Sequence, residues 1–270
     1  MKIGLVLSGG GARGIAHLGV LKGLQEEGFV FDQIAGTSAG AIAGALFANG
    51  YTPDEILKII ETTPFYRHVR PAFTRLGLLR LDKAEELYRK YLPHDCFESL
   101  HIPMHVVATD LTEGVLTVFN TGELVRPILA SCSLPGIFEP YLINKRQYVD
   151  GAVLNNMPVE VIEDKVDLIV GIHCNPFTTQ KPITSVKGVL ERSLILAVRS
   201  KTRERLAKCH LLIEPPELSR YDVFDWRRAR DLFRIGYQYT QSIKPQLIRT
   251  LESAFISDTI SPNSNNKTPG

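Results

Sequence analysis

The sequence predicts an α/β protein with three layers, in which helices cover both faces of a mostly parallel central sheet. Short continuous apolar runs at 3–7 and 168–173 are typical of parallel strands that are buried on both faces. Such runs alternate with helical periodicities over most of the chain, which favours a largely parallel sheet. The 270 residues suit one large domain, which we expect at residues 1–255, followed by a disordered tail at 256–270.

Hydrophobic periodicity and turn residues place the individual elements along the chain. Leu18, Leu21 and Leu24 recur at helical spacing, so a helix is predicted between Ile15 and Gly28. Glu113-Gly114 lies between two β-type runs, which predicts a hairpin. By the same criteria we expect strands at 31–35, 105–109, 115–119, 141–143, 147–149 and 211–214, and helices at 41–48, 53–62, 82–92, 185–208 and 226–252.

Composition and charge exclude several classes of function. The net charge of +2 is too small to indicate a nucleic-acid partner. No residue cluster suggests a calcium or zinc site, so we expect neither a metal nor another cofactor. The cysteines form no C-x-x-C pair and are interpreted as reduced thiols. The apolar start is too short for a secretory signal and no run is long enough to span a membrane, so a cytoplasmic protein is expected.

The first chemical motif has the form G-x-S-x-G. It consists of Gly36, Thr37, Ser38, Ala39 and Gly40. In this nucleophile elbow, a sharp turn from a strand into a helix exposes the serine hydroxyl, and only very small residues fit two positions before and after it. The motif occurs by chance in many chains, but here it falls between an apolar strand and a helix of small residues, as the mechanism requires. Ser38 is therefore the candidate nucleophile.

The second motif is a glycine-rich loop that follows the first strand. Its residues are Gly9, Gly10, Gly11, Ala12, Arg13 and Gly14. Successive glycines let backbone N–H groups approach an anion or oxyanion closely. The loop also satisfies G-x-G-x-x-G, but the acidic residue that would hold a ribose is missing from the end of the second strand, which disfavours a dinucleotide site. Arg13 opposes the dipole of the following helix, so we expect it to pair with an acidic neighbour rather than bind a substrate phosphate.

The third motif is Asp150-Gly151-Ala152, which by itself is a common kind of turn. Together and in this order, GGGARG, GTSAG and DGA resemble the patatin-like phospholipase family, above all its compact bacterial members. The stretch 131–140 is also similar to a region that these proteins carry before the aspartate. The resemblance extends over roughly residues 3 to 250.

The resemblance implies a patatin-like fold and a serine lipid acyl hydrolase that works through an acyl-enzyme. By this resemblance, Ser38 is the nucleophile, Asp150 is the proton acceptor, and residues 9–14 form the oxyanion hole. The implied substrate is a phospholipid, a lysophospholipid or another acyl ester. Head group, acyl length, oligomeric state and the balance between hydrolysis and acyl transfer stay open.

A serine–aspartate pair makes physical sense only under particular conditions. An unperturbed aspartate, with a pKa near 3.9, is a weak base for a serine proton. We therefore expect Asp150 to be partly buried, which raises its pKa, and to lie near Ser38 beside backbone donors from residues 9–14. Two alternatives stay open: a Ser-Asp-His triad that uses His173, and a catalytically silent binding protein that keeps the fold.

One segment is a candidate for contact with a membrane. No acidic residue lies between Glu61 and Asp82. Instead, Arg67, Arg70, Arg75 and Arg80 alternate with Phe65, Tyr66, Phe73, Leu76, Leu78 and Leu79. Two interpretations are equally open: residues 62–81 form a basic, apolar cap that makes the protein peripheral at anionic lipid, or they form a loop whose apolar side chains pack inward.

Overall fold

A computed structural model describes residues 1–63, 68–72, 76–177, 183, 184, 189, 193, 196 and 202–260, with side chains up to residue 253. In these ranges the strands are β1 (Ile3–Leu7), β2 (Gln33–Thr37), β3 (Arg70–Pro71), β4 (Leu79–Arg80), β5 (Met104–Asp110), β6 (Val115–Phe119), β7 (Tyr141–Ile143), β8 (Arg146–Asp150), β9 (Leu168–Ile172) and β10 (Leu211–Ile213). The helices are α1 (Ala16–Glu26), α2 (Ala39–Ala48), α3 (Pro53–Thr62), α4 (Asp82–Tyr91), α5 (Val125–Ser131), α6 (Ala229–Ser242) and α7 (Lys244–Ile260).

The central sheet is mixed and mostly parallel, which confirms the predicted fold class. Its strand order is β10-β9-β1-β2-β5-β8-β7, with β6 also paired to β5. The five strands from β10 to β5 run parallel. Strands β6 and β8 pair antiparallel with β5, and β7 pairs antiparallel with β8. The predicted hairpin of β5 with β6 is confirmed, and the predicted strands at 141–143 and 147–149 form a second hairpin, β7 with β8.

Both faces of the sheet are covered, because successive side chains of a strand point to opposite sides. Leu5 and Leu7 of β1 are fully buried in the larger core, which also contains Leu18 of α1. Val6, between them, belongs to a second core with Met157. A continuous apolar strand therefore places one layer of structure on each face.

Strand register brings the three sequence motifs together. Thr37 of β2 is paired with Val107 of β5, and the next residue of β5, Ala108, is paired with Asp150 of β8. Ser38 follows Thr37 directly, so it leaves the sheet at the same height as Asp150, although the two residues are 112 positions apart in the sequence. On the other side, β1 lies parallel to β2, which places the glycine-rich loop at the same edge.

The element boundaries differ from prediction where buried or proline-containing segments obscure the pattern. Strand β2 begins two residues later than expected, since the Asp32 carboxylate accepts a hydrogen bond from the Ile3 N–H group, 2.7 Å away. Helix α5 was not predicted, because nearly all of its residues are buried and it shows no polar face. The predicted helix at 226–252 is two helices, separated at Ile243 just before Pro245, whose missing N–H favours a new helix start.

Two predicted segments fall partly outside the described residues. The predicted helix at 185–208 is described as helical at 189, 193, 196 and 202–206. Helix α7 extends to Ile260, so residues 256–260 are helical where a disordered tail was predicted, and residues 261–270 lie outside the described ranges. Within those ranges, no helix combines the length and hydropathy needed to cross a bilayer.

Candidate active site

Ser38 occupies the tight turn between β2 and α2. Its backbone has φ 53° and ψ −121°, a conformation that costs a non-glycine residue about 1–3 kcal/mol. A Cβ atom at Gly36 would lie 2.6 Å from the Gly40 carbonyl oxygen, and one at Gly40 would lie 2.3 Å from the Leu7 carbonyl oxygen. Neither position can carry a side chain, so the spacing of the motif follows from backbone packing.

The Ser38 hydroxyl donates a hydrogen bond directly to Asp150. Its Oγ lies 2.7 Å from Asp150 Oδ2, and the other carboxylate oxygen accepts from the Ala152 N–H group at 2.8 Å. Gly151 has to be glycine, because a Cβ atom there would lie 2.3 Å from the carbonyl oxygen of Val107. The DGA motif therefore packs against β5 and holds one carboxylate oxygen through Ala152, while Ser38 binds the other.

Hydrogen bonds to their backbone groups anchor both residues of the pair. The Ser38 N–H group donates to Ser131 Oγ at 2.8 Å. The Asp150 N–H group donates to the Ser133 carbonyl at 2.9 Å, and Thr109 Oγ1 donates to the Asp150 carbonyl at 3.1 Å. The last residue of α5 thus holds Ser38, and a residue just after the helix holds Asp150.

The electrostatics of the site favour a basic aspartate. Asp150 is only 4% exposed, and burial raises its pKa from 3.8 to about 6, while hydrogen bonds from Ser38 and the Ala152 amide oppose the rise. Burial and the Asp150 carboxylate raise the pKa of the adjacent Cys132 thiol well above its ordinary value. The thiol is therefore neutral, and the only negative charge of this group is on Asp150.

The glycine-rich loop lies directly beside Ser38. A Cβ atom at Gly9 would be 3.2 Å from Ser38 Cβ, and one at Gly14 would be 2.4 Å from the Cβ atom of Ala39. The two motifs are therefore packed together, at distances that only glycine allows in the loop.

The amides of the loop differ in whether they already have acceptors. Ala12 N–H donates to the Val223 carbonyl at 2.8 Å, Arg13 N–H to the Gly10 carbonyl at 3.2 Å, and Gly9 N–H to the Asn156 carbonyl at 3.4 Å. Among the described residues, the Gly10 and Gly11 N–H groups have no acceptor. These two amides are the ones left to bind an anion.

The sequence model of the family described as Patatin-like phospholipase matches residues 5–162. The chain belongs to the patatin-like phospholipase family. The match contains all three motifs, so the resemblance that they indicated is confirmed.

The patatin-like chain is also similar to individual proteins. An uncharacterized NTE family protein of Mycobacterium tuberculosis is 34% identical over 178 residues, which are 64% of this chain and 49% of the relative. Lysophospholipase NTE1 of Kluyveromyces lactis is 27% identical over 88% of this chain and 19% of its own length. The chain thus spans about half the length of the mycobacterial relative. The crystal structure of VipD from Legionella pneumophila has a TM-score of 0.61 at 16% identity, covering 91% of this chain and 67% of VipD, and shows the same fold.

The histidine of the alternative triad has a different partner in this patatin-like site. His173 Nδ1 lies 2.5 Å from Glu214 Oε1, and its ring packs against Phe177. The serine hydroxyl meets the aspartate with no imidazole between them. Ser38 and Asp150 are therefore in direct contact, and His173 does not bridge them.

Arg13 has a backbone partner where the sequence suggested an acidic one. Its Nε donates to the Tyr221 carbonyl at 2.8 Å. Burial lowers its pKa, and the nearby Asp222 opposes this change. Arg13 thus fastens the glycine-rich loop to the segment before α6, and Asp222 compensates its charge at longer range.

Several residues of the site were not predicted from the sequence. They are Ser131, Asn155, Asn156 and Asn175, and each makes a hydrogen bond or close contact with one of the three motifs. Ser131 lies in the stretch whose similarity to the family was noted, but no local pattern gave it a role.

In the described part of the chain, no group of three or more His, Cys, Asp or Glu side chains is arranged to hold a metal ion.

Proposed function

We propose that this protein is a serine lipid acyl hydrolase with Ser38 as nucleophile and Asp150 as general base. The observation that carries the proposal is the 2.7 Å hydrogen bond that Ser38 Oγ donates to Asp150 Oδ2. Burial raises the pKa of this accepting carboxyl group to about 6. A base with a pKa close to neutral and within hydrogen-bonding reach is what activation of a serine requires. Similarity to a lysophospholipase supports a lysophospholipid or related acyl ester as substrate.

Acylation begins when Ser38 Oγ attacks the ester carbonyl carbon. The Oγ–C bond forms as the hydroxyl proton moves to Asp150 Oδ2, and the carbonyl electron pair moves onto its oxygen. The Gly10 and Gly11 amides, which have no acceptor among the described residues, stabilise this oxyanion. When the tetrahedral intermediate collapses, the bond to the alcohol oxygen breaks and that oxygen takes the proton from Asp150.

Deacylation repeats the sequence with water. A water oxygen attacks the acyl carbon and gives one proton to Asp150. The second oxyanion then collapses, the bond between Ser38 Oγ and the acyl carbon breaks, and the proton returns to Ser38. The products are a free fatty acid and the regenerated enzyme; an alcohol in place of water would give acyl transfer by the same steps.

The test is covalent labelling together with turnover. A fluorophosphonate probe should label the purified protein, which should release fatty acid from a lysophosphatidylcholine and hydrolyse a p-nitrophenyl ester. Ser38→Ala should abolish all three. Ser219→Ala is the matched control, since among the described residues this serine bonds only the nearby Pro216 carbonyl, and it should behave like the wild type. Labelling that persists in Ser38→Ala would refute the assignment.

We further propose that the segment around 70–80 contacts the lipid surface. Leu76 and Leu78 are 60% and 67% exposed. Arg70 and Arg80 are also exposed, and they pair with Asp82 at 3.8 Å and Glu139 at 3.4 Å. Backbone hydrogen bonds from Leu78 and Leu79 to the Ile137 carbonyl attach this segment to the stretch that follows Ser133. Exposed leucines between arginines suit an anionic membrane surface. The predicted cap residues Phe65, Tyr66, Arg67, Phe73 and Arg75 lie outside the described residues.

The membrane proposal is tested with two substrates. The double variant Leu76→Ser/Leu78→Ser should lose activity on phosphatidylcholine–phosphatidylglycerol vesicles and keep its activity on a soluble ester. Val30→Ser is the matched control, because Val30 is 75% exposed and precedes β2, at the opposite edge of the sheet from Ser38. Equal losses on the two substrates, or an equal loss in the control, would contradict membrane contact.

A further inference from the structure

The Gly9–Gly10 peptide is held from one side by two donors. Asn175 Nδ2 lies 2.6 Å from the Gly9 carbonyl oxygen, and Ser8 Oγ lies 2.9 Å from it. The Ser8 hydroxyl is fully buried and accepts a hydrogen bond from the Cys174 N–H group at 3.0 Å. Its own hydrogen is therefore directed to the Gly9 carbonyl, in agreement with its role as donor.

The fixed carbonyl determines where the next amide points. The chain has no cis peptide bonds among the described residues, and in a trans peptide the C=O and N–H groups point in opposite directions. With the Gly9 carbonyl directed toward Asn175 and Ser8, the Gly10 N–H group must point away from them. This is one of the two loop amides that have no acceptor in the described part of the chain.

Such a restraint is needed because the loop itself is permissive. Glycines on both sides of a peptide bond allow it to rotate at little steric cost, and a rotated Gly9–Gly10 peptide would present its carbonyl oxygen where the N–H group now lies. The oxyanion would then face a carbonyl lone pair in place of a donor. Catalysis of this type depends on donors that are already oriented before the charge develops.

The topology explains how a distant asparagine reaches this peptide. Strand β9 runs parallel to β1 with Ile172 beside Leu7, and the Ser8 N–H group donates to the Ile172 carbonyl at 3.1 Å. The residues that follow β9 therefore run alongside the glycine-rich loop, and Asn175 arrives level with Gly9 although 166 residues separate them.

We propose that Asn175 is a positioning residue, whose side-chain amide locks the Gly9–Gly10 peptide so that the Gly10 N–H group faces the substrate oxyanion. This inference rests on the proposed hydrolase function and adds a residue that none of the three motifs contains. Asn175 does not touch the reacting atoms in this arrangement. It acts through the orientation of one peptide group.

The experiment compares Asn175→Ala and Asn175→Asp with the wild type. The alanine variant leaves the Ser8 hydroxyl as the remaining donor, whereas the aspartate places an acceptor 2.6 Å from the Gly9 carbonyl oxygen and repels it. Loss of one oxyanion donor costs about 100- to 1,000-fold in kcat, so we expect kcat to fall about tenfold in Asn175→Ala and about 100-fold in Asn175→Asp, with KM within about twofold. Asn49→Ala and Asn49→Asp are the matched controls, since Asn49 Nδ2 also donates to a backbone carbonyl, that of Tyr91 at 3.4 Å, away from the site.

Rates are expressed per active site, titrated by complete labelling with a fluorophosphonate, and Tm is measured for each variant. A lower rate per labelled site supports the positioning role. Unchanged rates per labelled site overturn it, whether or not the labelled fraction or Tm has fallen, because a merely structural role changes only those two quantities. If such variants stay fully active while Ser38→Ala is inactive, the inference fails and the hydrolase function stands. If the wild type shows no Ser38-dependent turnover, the proposed function fails and the inference fails with it.

Discussion

Replacing Asp150 with asparagine separates the proposed catalytic role of this carboxyl group from its effect on stability. The substitution keeps the shape of the side chain: Oδ1 can still accept from the Ala152 amide, and the new NH₂ group can donate to Ser38 Oγ. An amide cannot take up the serine proton, however. We therefore expect Asp150→Asn to lose ester hydrolysis and, at neutral pH, to be more stable than the wild type.

The magnitude follows from the pKa of the buried carboxyl group. Burial raises it from 3.8 to about 6, so between these values the folded protein keeps a proton that the unfolded chain has released. Stability accordingly falls as the pH rises through this window, and the loss is complete above about pH 6. At about 1.36 kcal/mol per unit of pKa shift, the ionised carboxylate lowers the free energy of unfolding by about 3 kcal/mol at neutral pH. This value is the upper limit of the stability that Asp150→Asn can gain.

Urea unfolding at two pH values measures this effect. The advantage of Asp150→Asn should be about 1.5 kcal/mol larger at about pH 7.5 than at about pH 5. Asp110→Asn is the control on the adjacent strand: burial raises the pKa of Asp110, but the Glu113 and Thr112 amides and Arg146 outweigh it and lower the pKa overall. The control should therefore be destabilised equally at both pH values. A stability difference for Asp150→Asn that does not change with pH would refute the reasoning.

Three further predictions concern the same site. The value of kcat/KM should rise about tenfold between about pH 5 and about pH 7, because the ionised fraction of Asp150 grows from about a tenth to about nine tenths. A value of kcat/KM that does not change with pH would contradict a pKa of about 6 for Asp150. Gly151→Ala places a Cβ atom 2.3 Å from the Val107 carbonyl oxygen, so the free energy of unfolding, measured by thermal unfolding, should fall by about 1–3 kcal/mol and kcat should fall with it. Gly122→Ala is the control: its Cβ atom would have no atom within 4 Å, and kcat should not change. Ser131→Ala removes the acceptor of the nucleophile's amide, at a cost of about 1–3 kcal/mol in urea unfolding, and unchanged stability would show that this bond is dispensable.

The parts of the site that could be predicted from the sequence are those with a local steric reason. Gly36 and Gly40 flank Ser38 because backbone atoms fill the space where their side chains would be, and that requirement is visible as a spacing in the chain. The pairing of Ser38 with Asp150 was expected only through the resemblance to a family. Its physical basis is the register of β2, β5 and β8, which no short segment contains.

The residues that escaped prediction act through single long-range hydrogen bonds. Ser131 and Asn175 are 93 and 166 residues from the groups that they bind, and a lone serine or asparagine has no spacing to mark it. Helix α5 was missed for a related reason, since most of its side chains are buried and its pattern has no polar face to reveal a period of 3.6 residues. Local patterns thus locate the three motifs but not the residues that bind them through single hydrogen bonds.

The site contains two features that oppose folding, and both are needed for the proposed chemistry. The backbone of Ser38 is strained at φ 53°, by about 1–3 kcal/mol, and the carboxylate of Asp150 is ionised in a buried position. Each is held by anchors that do not take part in the reaction: Ser131 on the nucleophile, and Ser133 with Thr109 on the aspartate. Because these anchors bind backbone groups, they remain when the Asp150 side chain is changed, so the unfavourable charge can be removed without releasing the geometry. The rest of the fold therefore compensates for the free energy that the active site loses, and it does not need the charge of Asp150 to stay folded.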